Sequence, residues 1–505
     1  MKILTALQTR KAEQIAFNMG INGARLMENA GSAAARVIKQ NYNLEQKQVV
    51  VVVGQGNNGG DGYVVARKLK EYGARVAVIM AMGIAATPDS LAMQKRATDC
   101  GISVINFYDN TDLSKTLIDS AEIIVDAIFG IGFHGAADRE ISSIIKIINT
   151  SKAKKVCLDL PSGVIVDSGE VLGSAVKGDL TVSFIGYKPC HFEYPASEYS
   201  GKTVAVSIGI DDKRITDYLA EVIEASDALS YLSKIPSNAH KGTKGTALII
   251  GGSLGMAGAP MLAAKAAMRS GVGVVKVCLP KDAYFAAAPM LPEAVFLPKE
   301  GKDGFLCGED INSSIFKNAG SVLIGPGMGL NDNTVSAVLK AISHSRVPTV
   351  IDADGLNAVS LDPELLKSDS VVAVTPHPGE MSRLTGKTVA EIQNDRISAA
   401  VEFAKEYGVI TVLKGSYTII AAPSGKIYLN TTGNEAMATA GSGDMLSGMI
   451  AAFLANGTEP EKAVVAAVCL HGAAGDKAAK ELGKRGVLTT DMIETLPFIF
   501  KLGEL

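Results

Sequence analysis

Short, continuously apolar runs rich in β-branched residues alternate with helix-length segments along almost the whole chain. Strands that are apolar on both faces are covered by helices on both sides, and this alternation is the pattern of a parallel, doubly wound sheet. An α/β fold is therefore predicted. An amphipathic helix is predicted over residues 9–39, before the first strand. In the first half of the chain, strands are predicted at residues 49–53, 76–80, 123–127, 156–160, 180–184 and 204–208.

A charged, irregular stretch after Ile210 separates this series of strands from a second one. The chain of 505 residues is long enough for two large α/β domains, each with its own core. Two domains are predicted, residues 1–218 and 219–505, of which the first is a Rossmann-like doubly wound sheet. In the second domain, strands are predicted at residues 247–250, 274–279, 322–324, 349–351, 371–375, 410–413 and 418–421.

The net charge limits the possible binding partners, and the cysteine pattern indicates the cellular compartment. A net charge of −3 argues against nucleic acid or an anionic membrane as a partner of the whole chain. None of the six cysteines forms a C-x-x-C pair, which is typical of free thiols in a reducing cytosol. No apolar stretch reaches the ~20 residues that span a bilayer, and the N-terminus does not read as a signal peptide. A cytoplasmic protein is predicted.

A glycine-rich turn follows the strand at 49–53, in the sequence GQGNNGGDGY from residue 54, and a helix is predicted from Gly62 to Tyr72. Glycines let a ligand approach the backbone, and the N–H groups at a helix start attract phosphate. The turn departs from the dinucleotide fingerprint, because Asn57, Asn58 and Asp61 offer oxygens that suit a cation or a ribose. The alternative is a tight turn with asparagines in left-handed conformations.

Oxygen-bearing residues end two further strands, where Asp126 precedes a flexible loop over 130–135 and Asp159 precedes Ser162. The carboxyl ends of parallel strands meet at one crevice. Asn58, Asp126 and Ser162 are therefore expected to converge and to bind a cation through hard oxygens. Asp159 at the same mouth is a candidate general base. Each residue alone is more often a helix cap or a turn former.

These segments, together with LMENAG at 26–31, resemble the NAD(P)HX epimerase domain, also called the YjeF N-terminal domain, over about residues 1–215. The resemblance implies that K⁺ binds Asn58, Asp126 and Ser162 and that Asp159 is the candidate base. Ile131 stands where the family is expected to have a small polar residue, which puts one loop contact in doubt. The implied contacts of the hydrated nucleotide are Asn57, Asn58, Gly59, Gly60, Asp61, Gly130, Ile131, Gly132, Phe133, His134, Gly135, Ala136 and Asp159.

In the second domain, Gly441, Ser442 and Gly443 precede an apolar helix predicted from about Met445. Consecutive N–H groups there form an anion-binding nest. Asp444, placed at the first helical position, is expected to stay ionised beside the helix dipole and to act as a base toward an attacking hydroxyl. A plain helix cap with a tight entry is the alternative.

Other loops that follow strands carry further candidates. His377 lies between two prolines, and Lys414 is placed to meet a phosphate. Asp352 and Asp354 are possible helpers of a Mg²⁺ ion bound mainly through phosphates, or else helix caps.

The motifs HKGTKG, GGSLGMAGAP, GPGMG, DADGLN, TPHPGE, LKGSYT and AGSGDMLSG, in this order, resemble the ADP-dependent NAD(P)HX dehydratase domain of the ribokinase-like superfamily. The resemblance covers about residues 225–505 and implies a ribokinase-like α/β/α sandwich. It implies hydrate contacts at Ala259, Gly327, His377 and Asp444. The implied nucleotide contacts are Lys414, Gly415, Ser416, Tyr417, Thr418 and Gly443.

Together the two resemblances imply repair of hydrated nicotinamide nucleotides by a homo-oligomer. R and S forms of NADHX and NADPHX interconvert in the first domain, and the S form loses water in the second while ADP becomes AMP and phosphate. Two alternatives stay open. A small-molecule kinase would leave a stable phosphorylated product, and a nucleotide-binding regulator would bind without turnover.

Overall fold

In a computed structural model that describes residues 1–503, the chain divides between Glu221 and Val222 into two units. The predicted division, between residues 218 and 219, lies three residues earlier. The strands of the first series are β1 (Lys2–Ile3), β2 (Gln48–Val53), β3 (Arg75–Met80), β4 (Ser103–Asn106), β5 (Ile123–Ala127), β6 (Lys154–Leu158), β7 (Leu180–Phe184), β8 (Lys202–Val206) and β9 (Ala220–Val222).

Seven of these strands form a wholly parallel sheet in the order β4-β3-β2-β5-β6-β7-β8. β2 and β5 are central and almost completely buried, as their unbroken apolar runs predict. Because the sheet is parallel, the residues after β2, β5, β6 and β7 gather at one edge. The helices of this unit are α1 (Ala6–Asn18), α2 (Gly23–Asn41), α3 (Asn57–Glu71), α4 (Pro88–Asp99), α5 (Thr111–Ser120), α6 (Arg139–Thr150) and α7 (Ser197–Ser200).

Two of the helix predictions for this unit were wrong in their bounds. The helix predicted over 9–39 is two helices, because Gly20 adopts a left-handed φ of 82° and Asn22 caps α2 by accepting the N–H of Arg25. The helix predicted from Gly62 begins five residues earlier, at Asn57. The NNGGD segment is thus the first turn of α3 and not a loop.

The second unit contains a nine-stranded run in the order β18-β17-β16-β15-β14-β13-β10-β11-β12. The strands from β16 to β12 are parallel, and β17 and β18 add antiparallel pairs. Their bounds are β10 (Thr246–Ile250), β11 (Val274–Pro280), β12 (Val295–Lys299), β13 (Ser321–Ile324), β14 (Thr349–Ile351), β15 (Val371–Val374), β16 (Ile410–Leu413), β17 (Ile419–Ala421) and β18 (Ile427–Leu429).

Helices surround this second sheet, and α16 is the most apolar of them. Ten consecutive residues of α16, from Met445 to Leu454, are buried, and all of them except Ser447 and Gly448 belong to the hydrophobic core. The helices are α8 (Ala225–Tyr231), α9 (Gly258–Arg269), α10 (Lys281–Ala287), α11 (Asp332–His344), α12 (Asp354–Val359), α13 (Pro378–Thr385), α14 (Val389–Asn394), α15 (Arg396–Tyr407), α16 (Ser442–Ala455), α17 (Pro460–Leu482) and α18 (Thr489–Lys501).

The predicted two-domain α/β fold is confirmed. The strands β4, β12 and β18 were not predicted; β4 and β12 are edge strands whose residues are largely exposed or half-buried. The stretch after Ile210, predicted without a strand, contains the short β9. Within residues 1–503 no helix combines the length and the apolar character that a bilayer crossing requires.

Candidate active sites

A cavity of about 740 Å³ opens at the carboxyl edge of the first sheet. Residues after β2, β5, β6 and β7 line it, and α1 and α2 add Glu13, Phe17 and Met27. The polar side chains that face it include Asn58, Asp61 and Asp159. The structure therefore brings together candidates that lie about a hundred residues apart in the sequence.

Hydrogen bonds hold both the side chain and the backbone carbonyl of Asp159 in place. Its Oδ1 accepts the ammonium of Lys188 at 2.5 Å and the N–H of Phe184 at 3.1 Å. Its carbonyl oxygen accepts Nε2 of His191 at 2.9 Å, and Nδ1 of that ring accepts the N–H of Lys188. Burial and, to a smaller extent, the Lys188 ammonium lower the pKa of His191 to about 4, so the ring is neutral. Asp159 itself has a left-handed φ of 66°.

Lys188 was not predicted from the sequence. Its side chain is fully buried, and its ammonium also contacts the carbonyl oxygens of Phe184 and Gly186 and the hydroxyl of Ser183. A buried ammonium needs such partners, because an unpaired charge is costly inside a protein. The rule that picked Asp159, a polar residue shortly after a strand, also points to Lys188 after β7.

Besides Asp159, the carboxyl groups of Asp61, Glu13 and Asp89 line this cavity. Asp61 is 9% exposed, and burial raises its pKa well above the usual range; the charges of Asp159 and Glu13 raise it further, and Lys188 opposes them. Glu13 is half-buried, and burial, followed by the charge of Asp159, raises its pKa too. Glu13 was not predicted, because it lies on α1, far from the motifs in sequence.

Asn58, Asp126 and Ser162 belong to one hydrogen-bonded cluster. Ser162 donates its hydroxyl to Oδ1 of Asp126 at 2.6 Å and its N–H to Oδ2 at 2.8 Å. The backbone of Phe129 links the rest: its N–H donates to Oγ of Ser162, and its carbonyl accepts Nδ2 of Asn58 at 2.7 Å. Burial raises the pKa of Asp126, and the hydrogen bonds from Ser162 oppose this rise.

The glycines of the NNGGD segment are explained by packing. A Cβ at Gly59 would lie 2.1 Å from the carbonyl oxygen of Gly54, and one at Gly60 would lie 2.4 Å from Sδ of Met27. Both glycines are buried and neither lines the cavity, whereas Asn57 does. Close helix packing therefore accounts for these two glycines without a ligand.

The loop after β5 forms one wall of the cavity with residues 130–134. Gly135 and Ala136 are exposed and lie outside the lining. Phe133 stacks on Phe129 with ring centroids 4.5 Å apart, which supports the wall. Ile131 packs against a small apolar cluster that includes Leu160, so an apolar residue fits this position.

The second site lies at the N-terminus of α16. Gly441 is the cap with a left-handed φ of 86°, and the helix begins at Ser442, so Asp444 is the third helical residue and not the first. The prediction that the helix dipole keeps Asp444 firmly ionised was also wrong. Burial, followed by the charge of Asp352, raises the pKa of Asp444 to about 7, and the opposing effect of Lys414 is smaller.

Lys414 is the cation of this site. Its Nζ lies 3.0 Å from Oδ1 of Asp352 and 3.6 Å from Oε2 of Glu380. Burial favours the neutral amine, but the carboxylates of Asp352, Glu380 and Asp444 outweigh it and raise the pKa of Lys414. A Cβ at Gly443 would lie 3.4 Å from the same Nζ. The ammonium thus borders the anion-binding start of α16.

His377 has a structural task in α13. Its Nδ1 accepts the N–H groups of Gly379 and Glu380, and Glu380 in return accepts the N–H of His377, which completes a capping box. The ring is half exposed. Nδ1 accepts hydrogen bonds from the helix, and the other ring nitrogen, Nε2, lies 3.5 Å from Oε1 of Glu380.

Ala259 and Gly327 lie side by side. A Cβ at Gly327 would lie 3.0 Å from Cβ of Ala259, and Ser253 donates its hydroxyl to the carbonyl of Gly327 at 2.9 Å. The neighbouring Gly329 donates its N–H to Asp354 at 2.8 Å, so Asp354 braces the GPGMG turn.

Arg396 organises the loop that follows β16 and was not predicted. Its guanidinium donates to the carbonyl oxygens of Leu413, Lys414, Ser416 and Tyr417 at 2.7–3.4 Å. The side chain is buried, and it comes from α15, where no motif marks it. One side chain, that of Arg396, therefore anchors the loop that contains Gly415, Ser416, Tyr417 and Thr418.

Two family models match the chain. The one described as YjeF-related protein N-terminus matches residues 23–190, and the one described as NAD(P)H-hydrate dehydratase matches residues 247–498. A bifunctional NAD(P)H-hydrate repair enzyme of Moorella thermoacetica is 34% identical over 99% of this chain and 97% of its own length. That of Escherichia coli K12 is 34% identical over 96% of this chain and 92% of its own length.

A solved structure resembles the second unit. It is the ADP/ATP-dependent NAD(P)H-hydrate dehydratase of Bacillus subtilis, co-crystallised with ATP and Mg²⁺. The two are 33% identical with a TM-score of 0.51, and the match covers 56% of this chain and 99% of the other.

Proposed function

Since the chain belongs to the family of bifunctional NAD(P)H-hydrate repair enzymes, we propose that its two units repair NADHX and NADPHX at separate sites. The first unit epimerises the R and S hydrates in its cavity. The second unit dehydrates the S hydrate at the start of α16, with ADP as the phosphoryl donor. The products of the second reaction are NADH or NADPH, AMP and phosphate.

The observation that carries the dehydratase proposal is the place of Asp444 in the first turn of α16, where the charge of the Lys414 ammonium acts on it. Asp444 accepts the proton of the C6 hydroxyl, whose oxygen then takes the β-phosphoryl group of ADP and releases AMP. Lys414 and the N–H groups at the start of α16 stabilise the charge of the transferred group. The C6–O bond then breaks with its electron pair going to phosphate, C5 loses a proton, and the 5,6 double bond forms. Phosphorylation converts a poor leaving group, hydroxide, into a good one.

The acidic residues of this site suit a Mg²⁺ ion that is held mainly by the phosphates of the nucleotide. Within residues 1–503 no group of three or more His, Cys, Asp or Glu side chains is arranged to hold a metal ion. Oδ1 of Asp352 accepts hydrogen bonds from the hydroxyl of Thr375 and the ammonium of Lys414, which leaves Oδ2 for a ligand. That remaining oxygen is suited to the hydration shell of the ion.

In the first unit, Asp159 is the candidate base and Asn58, Asp126 and Ser162 are the candidate K⁺ ligands. The donor set supports this proposal, because each of the three side chains carries a hard oxygen, and the carbonyl oxygens of Phe129 and Leu158 lie beside Asn58. Epimerisation is expected to slow when K⁺ is replaced by tetramethylammonium, while ADP-dependent dehydration continues. An unchanged epimerisation rate would contradict the K⁺ assignment.

The proposed function is tested by incubating the purified chain with a mixture of R and S hydrates, with and without ADP, and separating the products by chromatography. Without ADP the two forms should interconvert only. With ADP both should disappear, and one AMP and one phosphate should form for each reduced nucleotide. A stable phosphorylated product would indicate a kinase instead, and binding without turnover would indicate a regulator. The cytoplasmic location and the homo-oligomeric state remain predictions from the sequence.

A further inference from the structure

A second carboxyl group faces the cavity of Asp159, and it lacks the cation that Asp159 has. Asp61 is the fifth residue of α3, lines the cavity and is more than nine-tenths buried. Within the described residues, 1–503, its side chain has neither an ion pair nor a hydrogen bond. Buried polar groups are normally satisfied, so an unpartnered carboxyl at a cavity wall points to a missing ligand.

The surroundings of the two carboxyl groups differ. The ammonium of Lys188 lies 2.5 Å from Oδ1 of Asp159. Asp61 is buried without a cation of its own, and the charges of Asp159 and Glu13 disfavour a second negative charge there. Such a pair, one acid and one base in one cavity, is what an acid–base reaction requires.

We propose that Asp61 is the general acid that works with Asp159 as the base when the first unit inverts C6 of the hydrate. This inference rests on the proposed epimerase function. C6 of the hydrate bears both the hydroxyl group and the ring nitrogen N1, so its carbon–oxygen bond breaks readily once the oxygen is protonated. Asp61 gives its proton to that hydroxyl oxygen, and the oxygen leaves as water with the electron pair of the C6–O bond.

The remaining steps restore the hydrate with the opposite configuration. The lone pair of N1 forms an N1=C6 double bond as water leaves. A water molecule then adds to the other face of C6, Asp159 accepts its proton, and the electron pair returns to N1. Solvent returns a proton to Asp61 and takes one from Asp159. The reaction consumes nothing, and in the reverse direction the same steps run backwards.

Glu13 is the competing candidate for the acid. It faces the same cavity, but it is half-buried, and Arg10 lowers its pKa against the effect of burial. A residue that only binds the substrate would change KM, whereas the acid changes kcat. Comparing kcat and KM of Asp61→Asn with those of Glu13→Gln therefore shows which residue is the acid and whether each residue donates a proton or only binds the substrate.

The test uses the full chain, pure R hydrate without ADP, and chromatography of the S hydrate formed. Asp61→Asn should lower kcat about a hundredfold or more, with little change in KM. Its thermal unfolding midpoint should not fall, because the substitution removes a buried group that has no partner. In H₂¹⁸O each inversion should place one ¹⁸O on C6. Dehydration of the S hydrate by the same variant should keep its wild-type rate, because that reaction belongs to the second unit.

Three results would overturn the inference: wild-type kcat in Asp61→Asn, a change in KM alone, or inversion with the original oxygen retained. A loss in Glu13→Gln with normal kcat in Asp61→Asn would assign the acid to Glu13 and also overturn it. A wild-type chain that does not interconvert the hydrates would instead overturn the proposed function of the first unit.

Discussion

The ammonium of Lys188 lies 2.5 Å from Oδ1 of Asp159, and its side chain is fully shielded from solvent. The pair joins the segment after β7 to the residue that follows β6, so it links two segments that line the first cavity. Its geometry leads to a prediction about stability, and the arrangements around Asp444, Arg396 and Gly441 lead to predictions about the second site.

Lys188→Met is expected to destabilise the chain by about 3–5 kcal/mol, because it leaves the buried carboxylate of Asp159 without its cation. The matched control is Lys47→Met, which breaks an exposed pair with Glu122. That control should cost less than about 1 kcal/mol. Urea unfolding followed by circular dichroism measures both free energies. Equal costs for the two variants would show that the buried pair has no special role.

The rate of dehydration is expected to fall as the pH drops through about 7. Asp444 must be ionised to accept a proton, and its pKa is raised to about 7, so the active form is complete above that pH and is lost below it. Asp352→Asn should move this fall to lower pH, because Asp352 is a charge that raises the pKa of Asp444.

The control for this profile is Asp332→Asn, an exposed carboxylate at the start of α11 in the same unit. It should leave the midpoint of the pH profile unchanged. The profile of kcat for the S hydrate with saturating ADP decides the question. A wild-type profile that is flat between about pH 5 and about pH 8 would remove Asp444 as the base.

Arg396→Lys is expected to raise KM for ADP about tenfold, with a smaller effect on kcat. A lysine cannot reach four carbonyl oxygens at once, so the loop that follows β16 loses its order. Arg346→Lys is the control, because Arg346 also donates to two carbonyl oxygens but is exposed and outside the site. Similar values of KM for ADP in the two variants would contradict the role of Arg396.

Gly441→Ala is expected to slow dehydration and to destabilise the second unit. A Cβ at this position would lie 2.3 Å from Cδ1 of Leu262, and φ is left-handed. Gly457→Ala is a matched control, because Gly457 is also left-handed but has nothing within 4 Å of its Cβ position. The control should cost about 1 kcal/mol of strain and leave the rate unchanged. Equal rates in the two variants would show that the start of α16 tolerates displacement.

Much of the fold could be predicted because buried parallel strands are apolar on both faces. β2 and β5 are examples, and their bounds were predicted to within one residue. β4 and β12 escaped prediction because an edge strand is only partly covered and needs no apolar run. The start of α3 was misplaced because Asn57 and the glycines read as a turn, although the close packing of Gly59 and Gly60 in a helix explains them better.

The candidate sites were predictable where polar residues lie at the end of a strand, as with Asp126, or directly after one, as with Asp159 and Lys414. Arg396 and Glu13 could not be predicted, because both lie inside helices and reach their sites only through tertiary contacts. The pKa of Asp444 could not be predicted either. The sequence places Asp444 near a helix dipole, but only the fold brings Asp352 and burial to bear on it.

The central claim is that two carboxylates serve two separate reactions in one chain. The most direct test compares Asp444→Asn with Asp159→Asn on R and S hydrates, with and without ADP, by chromatography. Asp444→Asn should abolish the ADP-dependent loss of the S hydrate and leave R/S interconversion intact, and Asp159→Asn should do the reverse. Dehydration at the normal rate by Asp444→Asn, or loss of both reactions in either variant while it remains folded, would contradict the account.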